Sequence, residues 1–307
     1  MADGAFHPAI GQPRGAGRGV ATPPVRPEIH AEPKPASQFG LVERPLSAWE
    51  IASGSPALRK VMILAGLALV WEIYGRSVGN PLLFPTFGET VAALFQGIAS
   101  GELVARVWAS LQVLVIGYAI GIALAGILTV LAIGTRLGAD LMVTLSAMFS
   151  PLPAIALLPL ALIWFGLGNA SLVFVLVHSV LWAVALNTFS GFRATSKTLR
   201  MVGQNYGLRG WRFVSKILIP AALPSIVTGL KIGWAFAWRT LIAAEMVFGV
   251  SSGSGGLGWF IFQSKNMLDI PSVFAGLLTV IIIGLVVEGV LFKALEDRTI
   301  RRWAMEH

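Results

Sequence analysis

Five stretches of this chain, near 109–133, 139–165, 170–190, 221–248 and 273–292, are apolar runs of about 20 residues or more. A helix of that length spans the roughly 30 Å hydrocarbon core of a bilayer, and in lipid each backbone polar group must find its partner inside the protein. The runs therefore predict transmembrane helices. A sixth run, 61–78, is interrupted by Glu72 and Arg76, which stand four residues apart and can pair along a helix, so it is read as a span as well. With 55% hydrophobic residues, 12% charged residues and a mean hydropathy of +0.76, a water-soluble fold could not hide these side chains. The expected fold class is an all-α membrane protein with six spans. The chain has no cysteine, which removes disulfide and thiol chemistry.

Orientation follows from the 23 Lys and Arg. Seven precede Val61, Arg136 lies between the second and third spans, six lie from Arg193 to Lys216 and four follow Leu291, so 18 share one side of a six-span chain. The positive-inside bias places both termini and the island at 195–216 in the cytoplasm of a multi-pass protein. The net charge of +8 is explained by this topology and by lipid headgroups, with no need for nucleic acid. Residues 1–58 hold nine of the 17 prolines and seven glycines without apolar periodicity, which predicts a disordered tail ahead of a membrane domain at 59–303. The first apolar run reads as a retained anchor rather than a cleaved signal. Phe87 to Ser100 fits a short amphipathic or linker helix.

Several intramembrane features bear on helix packing or on a pathway. Pro151, Pro153 and Pro159 interrupt the third span, so nearby carbonyls need other partners, and either a cavity wall or a packing kink accounts for that. Gly117-x-x-x-Gly121, with Ala125 and Gly126, allows close helix approach. In the fifth span Arg239 and Glu245 lie six residues apart, about 240° around a helix, and so do not pair along it. Trp238 shares the face of Glu245. Arg239 needs carbonyls, a partner on another helix or second subunit, or a passing anion, whose oxygens a guanidinium binds through paired donors. Glu245 is placed to accept backbone donors from the Ser251–Gly258 glycine-rich turn, or to act in a gate. His178 and Trp182, four apart, either line a pathway or pack. The sequence holds no ATP-binding loop, metal-ligand cluster or Ser-His-Asp set, which argues against an enzyme.

Between the fourth and fifth spans, 195–218 forms a charged island that turns at Gly207. Gly207 is separated by nine residues from Ile217-Leu218-Ile219-Pro220. This pattern resembles the coupling loop of type I ABC importer permeases, in which a Glu-Ala-Ala triplet precedes the glycine; here Met201, Val202 and Gly203 hold the triplet positions. Pro151–Leu160, Trp164-Phe165-Gly166, Trp71-Glu72, Asn187-Thr188 and Ala243-Ala244-Glu245-Met246 are similar to the sulfonate, taurine and nitrate branch. The resemblance covers about 61–303. It implies two copies of the chain in a bacterial inner membrane, two cytoplasmic ATPase subunits that bind ATP and Mg, a periplasmic or surface solute-binding protein, and no cofactor on this chain. It places Met201 to Gly207 on the ATPase, with Tyr206 and Leu208 as apolar anchors and Arg209 and Arg212 as rim charges. Import of a small anion is the expected function. A self-contained carrier or channel is the alternative, and would call for internal repeats and charged relays.

Overall fold

The computed structural model describes residues 56–248 and 255–299, and all regular structure among them is helical. In chain order the helices are α1 (Pro56–Val78), α2 (Phe87–Ala99), α3 (Glu102–Gly134), α4 (Arg136–Phe149), α5 (Leu158–Phe165), α6 (Asn169–Ala194), α7 (Lys197–Asn205), α8 (Gly210–Phe213), α9 (Ile219–Phe248), α10 (Leu257–Asn266), α11 (Ile270–Val286) and α12 (Lys293–Thr299). Wide π-type turns at Val214–Leu218 and Val287–Phe292 join α8 to α9 and α11 to α12. The expected tail at 1–58 lies outside the described residues except for its last three, which open α1.

Five stretches, Leu58–Val78, Glu102–Gly134, Asn169–Ala194, Gly210–Val247 and Ile270–Thr299, are long and apolar enough to cross a membrane. Glu102–Gly134, Asn169–Ala194 and Ile270–Thr299 run past the expected span limits at both ends, whereas Leu58–Val78 and Gly210–Val247 do so only at the start. The third span, expected at 139–165 with a proline interruption, is a bent pair in which Arg136–Phe149 and Ala154–Phe165 meet at 87°, and it makes a sixth span when the pair is counted as one. Pro151 and Pro153 lack the N–H groups that would carry α4 onward, and one short 3₁₀ turn, Ala154–Leu157, restarts the chain. Pro159 does not contribute to the break: it sits in the first turn of α5, where no donor is needed.

The core is built on α6, which packs between α3 and α9. Gly117 and Gly121 make the α3 contact: a Cβ on either would lie 2.7 Å from the Cβ of Leu176 or Val180. The α9 contact uses a second pair at the same G-x-x-x-G spacing, Gly229 and Gly233. A Cβ on Gly229 would stand 2.9 Å from the Asn187 Cβ, and one on Gly233 would stand 3.2 Å from Val184 Cγ2. Without a hydrophobic drive in lipid, helices associate through such close contact.

The outer elements are fixed by polar contacts. Thr86 and Glu89 cap α2 reciprocally. Glu72 accepts from Arg76 Nε at 2.7 Å and, with its other oxygen, from Gly88 N at 2.9 Å, tying α1 to the start of α2. Most of α1 is otherwise exposed in the single chain.

Candidate functional site

The break after α4 opens a cavity of about 400 Å³ between Ser150–Ile155, α6 and α9. From α6 it is lined by His178, Ser179 and Trp182, and from α9 by Phe236, Arg239 and Thr240. The i, i+4 spacing puts His178 and Trp182 on one helix face, and likewise Phe236 and Thr240. Phe149 stacks on Trp182 at 5.7 Å with an interplanar angle of 6° and meets His178 edge-on. Ser179 donates to Thr240 Oγ1 at 3.1 Å, so the two helices are joined at the cavity wall. Both His178 ring nitrogens and Trp182 Nε1 are buried without a hydrogen-bond partner among the described residues. Leaving a buried donor unpaired costs about 1–3 kcal/mol, so these groups carry an unmet demand for a partner.

Arg239 brings the positive charge. Its Nε donates to Ala235 O at 3.0 Å and its guanidinium lies 5.2 Å from the Phe236 ring centroid. It has no carboxylate partner among the described residues. Of the five residues singled out in the sequence for a pathway or gate, Arg239, His178 and Trp182 thus meet at one cavity.

The other two sit elsewhere. Trp238 is buried and donates from Nε1 to Val280 O at 3.2 Å, so it fastens α9 to α11. Glu245, 4% exposed, accepts from Ser110 Oγ at 2.8 Å and from Gly258 N at 2.8 Å, while Ser110 Oγ accepts from Leu257 N. The carboxylate therefore caps the N-terminus of α10, where unpaired N–H groups and the helix dipole favour an anion. A Cβ at Gly256 would fall 2.1 Å from Glu245 Oε1, and one at Gly258 would fall 2.4 Å from Ile242 O. Glycine at these two positions is what lets the loop close over the carboxylate. The first part of the turn, residues 249–254, lies outside the described residues.

The 195–218 segment is a helical hairpin. Ser196 caps α7 by accepting from Leu199 N at 3.2 Å. At the far end Gly207 adopts φ +71, its N–H reaches Gln204 O, and Leu208 N reaches Gly203 O at 3.0 Å. This left-handed stop satisfies the last carbonyls and is open to glycine without strain. The chain then re-enters α8 at Gly210. Pro220 cannot donate to Lys216 O, and the wide turn at Val214–Leu218 takes up the mismatch. Met201, Val202 and Tyr206 are exposed, Tyr206 to 81%, as are Arg209 and Arg212, whereas Leu208 is half-buried and Gly203 is buried.

A profile of the binding-protein-dependent transport system inner membrane component family matches residues 117–301, from the α3 glycine pair past the end of α12. A putative ABC transporter permease protein of Methanocaldococcus jannaschii is 31% identical over 243 residues, covering 78% of this chain and 90% of its own. The chain belongs to this family. It is also similar to a putative aliphatic sulfonates transport permease protein of Bacillus subtilis, at 26% identity over 248 residues, 80% of this chain and 87% of that one. A nitrate import permease protein of Synechocystis sp. is 27% identical over 238 residues, 75% of this chain and 85% of its own. The protein is thus the membrane permease subunit of a binding-protein-dependent ABC importer, working with a separate ATPase and a solute-binding protein, and the carrier alternative gives way.

Within this permease, two hairpin residues have roles that their sequence context does not announce. Arg200 donates to Phe192 O at 2.5 Å and to Thr195 O at 3.3 Å, locking α7 to the last carbonyls of α6. Only its place just after a predicted span end hints at that. Gly203 fits because a Cβ there would stand 2.9 Å from both Ile217 Cγ1 and Phe213 Cε2. The third triplet position is where α7 rests on the root of α9, a contact that spacing alone does not reveal.

Proposed function

We propose that this permease imports a small anion as a pair of identical chains, with ATP and Mg held on the partner ATPase and no cofactor on the permease itself. The observation that carries the anion reading is Arg239, a permanent charge in the cavity wall whose partners among the described residues are a carbonyl and an aromatic ring. A guanidinium in an apolar span is costly, roughly 2.5 to 3.5 kcal/mol at the membrane centre on insertion scales, unless an anion or water compensates it. The sulfonate and nitrate substrates in the names of the similar permeases are of the matching charge. In the pair, the exposed apolar faces of α1 meet lipid and the second chain. Both termini and the hairpin face the cytoplasm, in keeping with the 18 of 23 Lys and Arg on that side.

On this reading α7 and Tyr206 form the ATPase contact, with Arg209 and Arg212 at its rim, because exposed apolar side chains on a short polar hairpin suit a packed socket. Proteoliposomes containing the permease, its ATPase and its binding protein test it. Labelled organosulfonate or nitrate uptake is expected to require ATP and the binding protein. Tyr206→Asp should reduce uptake at least tenfold while hydrolysis persists, since a charge is buried at the contact. Uptake without ATP, or normal coupled uptake by Tyr206→Asp, rejects the assignment.

A further inference from the structure

The cavity has more room and more donors than an inorganic oxyanion can use. Resting on the anion-import reading, we infer that it is a stopping site for an organic anion with an apolar body, whose oxygens are held by Arg239, the Trp182 Nε1–H and a ring N–H of His178. Three observations converge. Trp182 is 8% exposed and its indole N–H points at no acceptor among the described residues, although Phe149 stacks on the ring and fixes it. A ring so held, with an unused donor beside a cavity, is preorganised for a ligand acceptor. The charged and the neutral donors come from two helices, α9 and α6, which the Ser179 to Thr240 hydrogen bond keeps in register.

The third observation is the apolar part of the lining. Pro151, Leu152, Pro153 and Ile155 line the same cavity as those donors. A volume of about 400 Å³ is in the range of sites for small organic molecules. Nitrate, a single nitrogen with its oxygens, can engage Arg239 and leaves the apolar wall and the indole donor unused. A sulfonate or carboxylate bearing several carbons reaches all three, its head between Arg239 and Trp182 and its body against the prolines and Ile155. The bidentate geometry of guanidinium suits such a head group.

The test uses the assembled permease and ATPase in nanodiscs of phosphatidylcholine, so that no anionic headgroup competes, and without the binding protein. Titration calorimetry is run with p-toluenesulfonate, hexanesulfonate and nitrate. Both organosulfonates should bind, and nitrate at least tenfold more weakly. Trp182→Phe keeps the stacked ring and removes the donor, and should weaken organosulfonate binding about fivefold or more; Arg239→Gln should weaken it at least tenfold. Trp164→Phe, an exposed indole outside the cavity, should change nothing. If a cavity variant assembles poorly, Thr240→Val gives a second reading from the facing helix: losing the contact with Ser179 should weaken organosulfonate binding, and unchanged binding counts against the inference. Nitrate binding equal to the sulfonates, no binding of any probe, or full binding by Trp182→Phe overturns the inference. ATP-driven uptake of an inorganic anion by the complete complex would overturn it too, while leaving the import reading intact.

Discussion

Glu245 owes its place to the donors it collects, and its neighbours show how far a residue can be understood from its own stretch of chain. Its position at the end of a span beside Gly255–Gly258 is legible, because a buried carboxylate near a glycine-rich turn needs N–H groups. The hydroxyl of Ser110, 135 residues earlier, is not, since nothing in a serine inside an apolar run distinguishes a local bond to the preceding turn from one to a distant helix. Glu245→Gln keeps an acceptor for Gly258 N and lets the Ser110 hydroxyl turn, so only a small drop in melting temperature is expected. Glu245→Ala strands both groups, at about 1–3 kcal/mol each, and should lower the melting temperature by several degrees and reduce recovered complex. Thermal unfolding of the purified complexes separates the two. Equal behaviour would mean that the carboxylate charge, rather than its hydrogen bonds, sets the loop. At Arg239 and Trp182 the sequence supplies the residue types and helical spacing, while their meeting at one cavity depends on how α6 and α9 cross.

Helix seams are partly written in the sequence. The Gly117 and Gly121 pair announces close packing, and the structure identifies α6 as the partner, which spacing does not name. Gly126 sits in the same helix facing open space, with nothing within 4 Å of the point a Cβ would occupy. Gly121→Val should therefore cost several kcal/mol through overlap with Val180 and abolish assembly, whereas Gly126→Ala should be neutral or stabilise by about 0.5–1 kcal/mol. Thermal shift of the two variants checks this, and a tolerated Gly121→Val would show that α3 and α6 are not tightly seated. The helix break at Pro151 and Pro153 is legible for the same local reason: missing donors. Its angle is not, because the turn between two short helices is set by what the second one packs against.

Across the whole molecule, α6 and α9 run side by side and carry both ends of the machine. Arg200 fastens the hairpin to α6, Gly203 seats it on Phe213 and Ile217, and about 30 Å farther along α9, at 1.5 Å per residue from Ile219, Arg239 faces the cavity. Two closely packed helices joined by the Ser179 to Thr240 bond transmit displacement as a stiff pair. Gly203→Val should lift α7 from its seat. The expected result is a complex that still assembles and hydrolyses ATP but no longer responds to loaded binding protein, measured as loss of stimulated over basal hydrolysis. Retained stimulation would place the coupling elsewhere. Composition and the Lys and Arg distribution make the membrane class readable at this scale, but not the pairing of helices, which depends on contacts far apart in the chain.

Ser150 to Ile155 form one side of the cavity yet lie outside the glycine seams, the Glu245 cap and the hairpin seat. Substitutions in this stretch can reshape what fits without loosening any joint that moves. A lineage of such permeases is thereby free to change cargo by drift in one short irregular stretch while inheriting the engine unaltered, and an engineer seeking a new specificity would begin there.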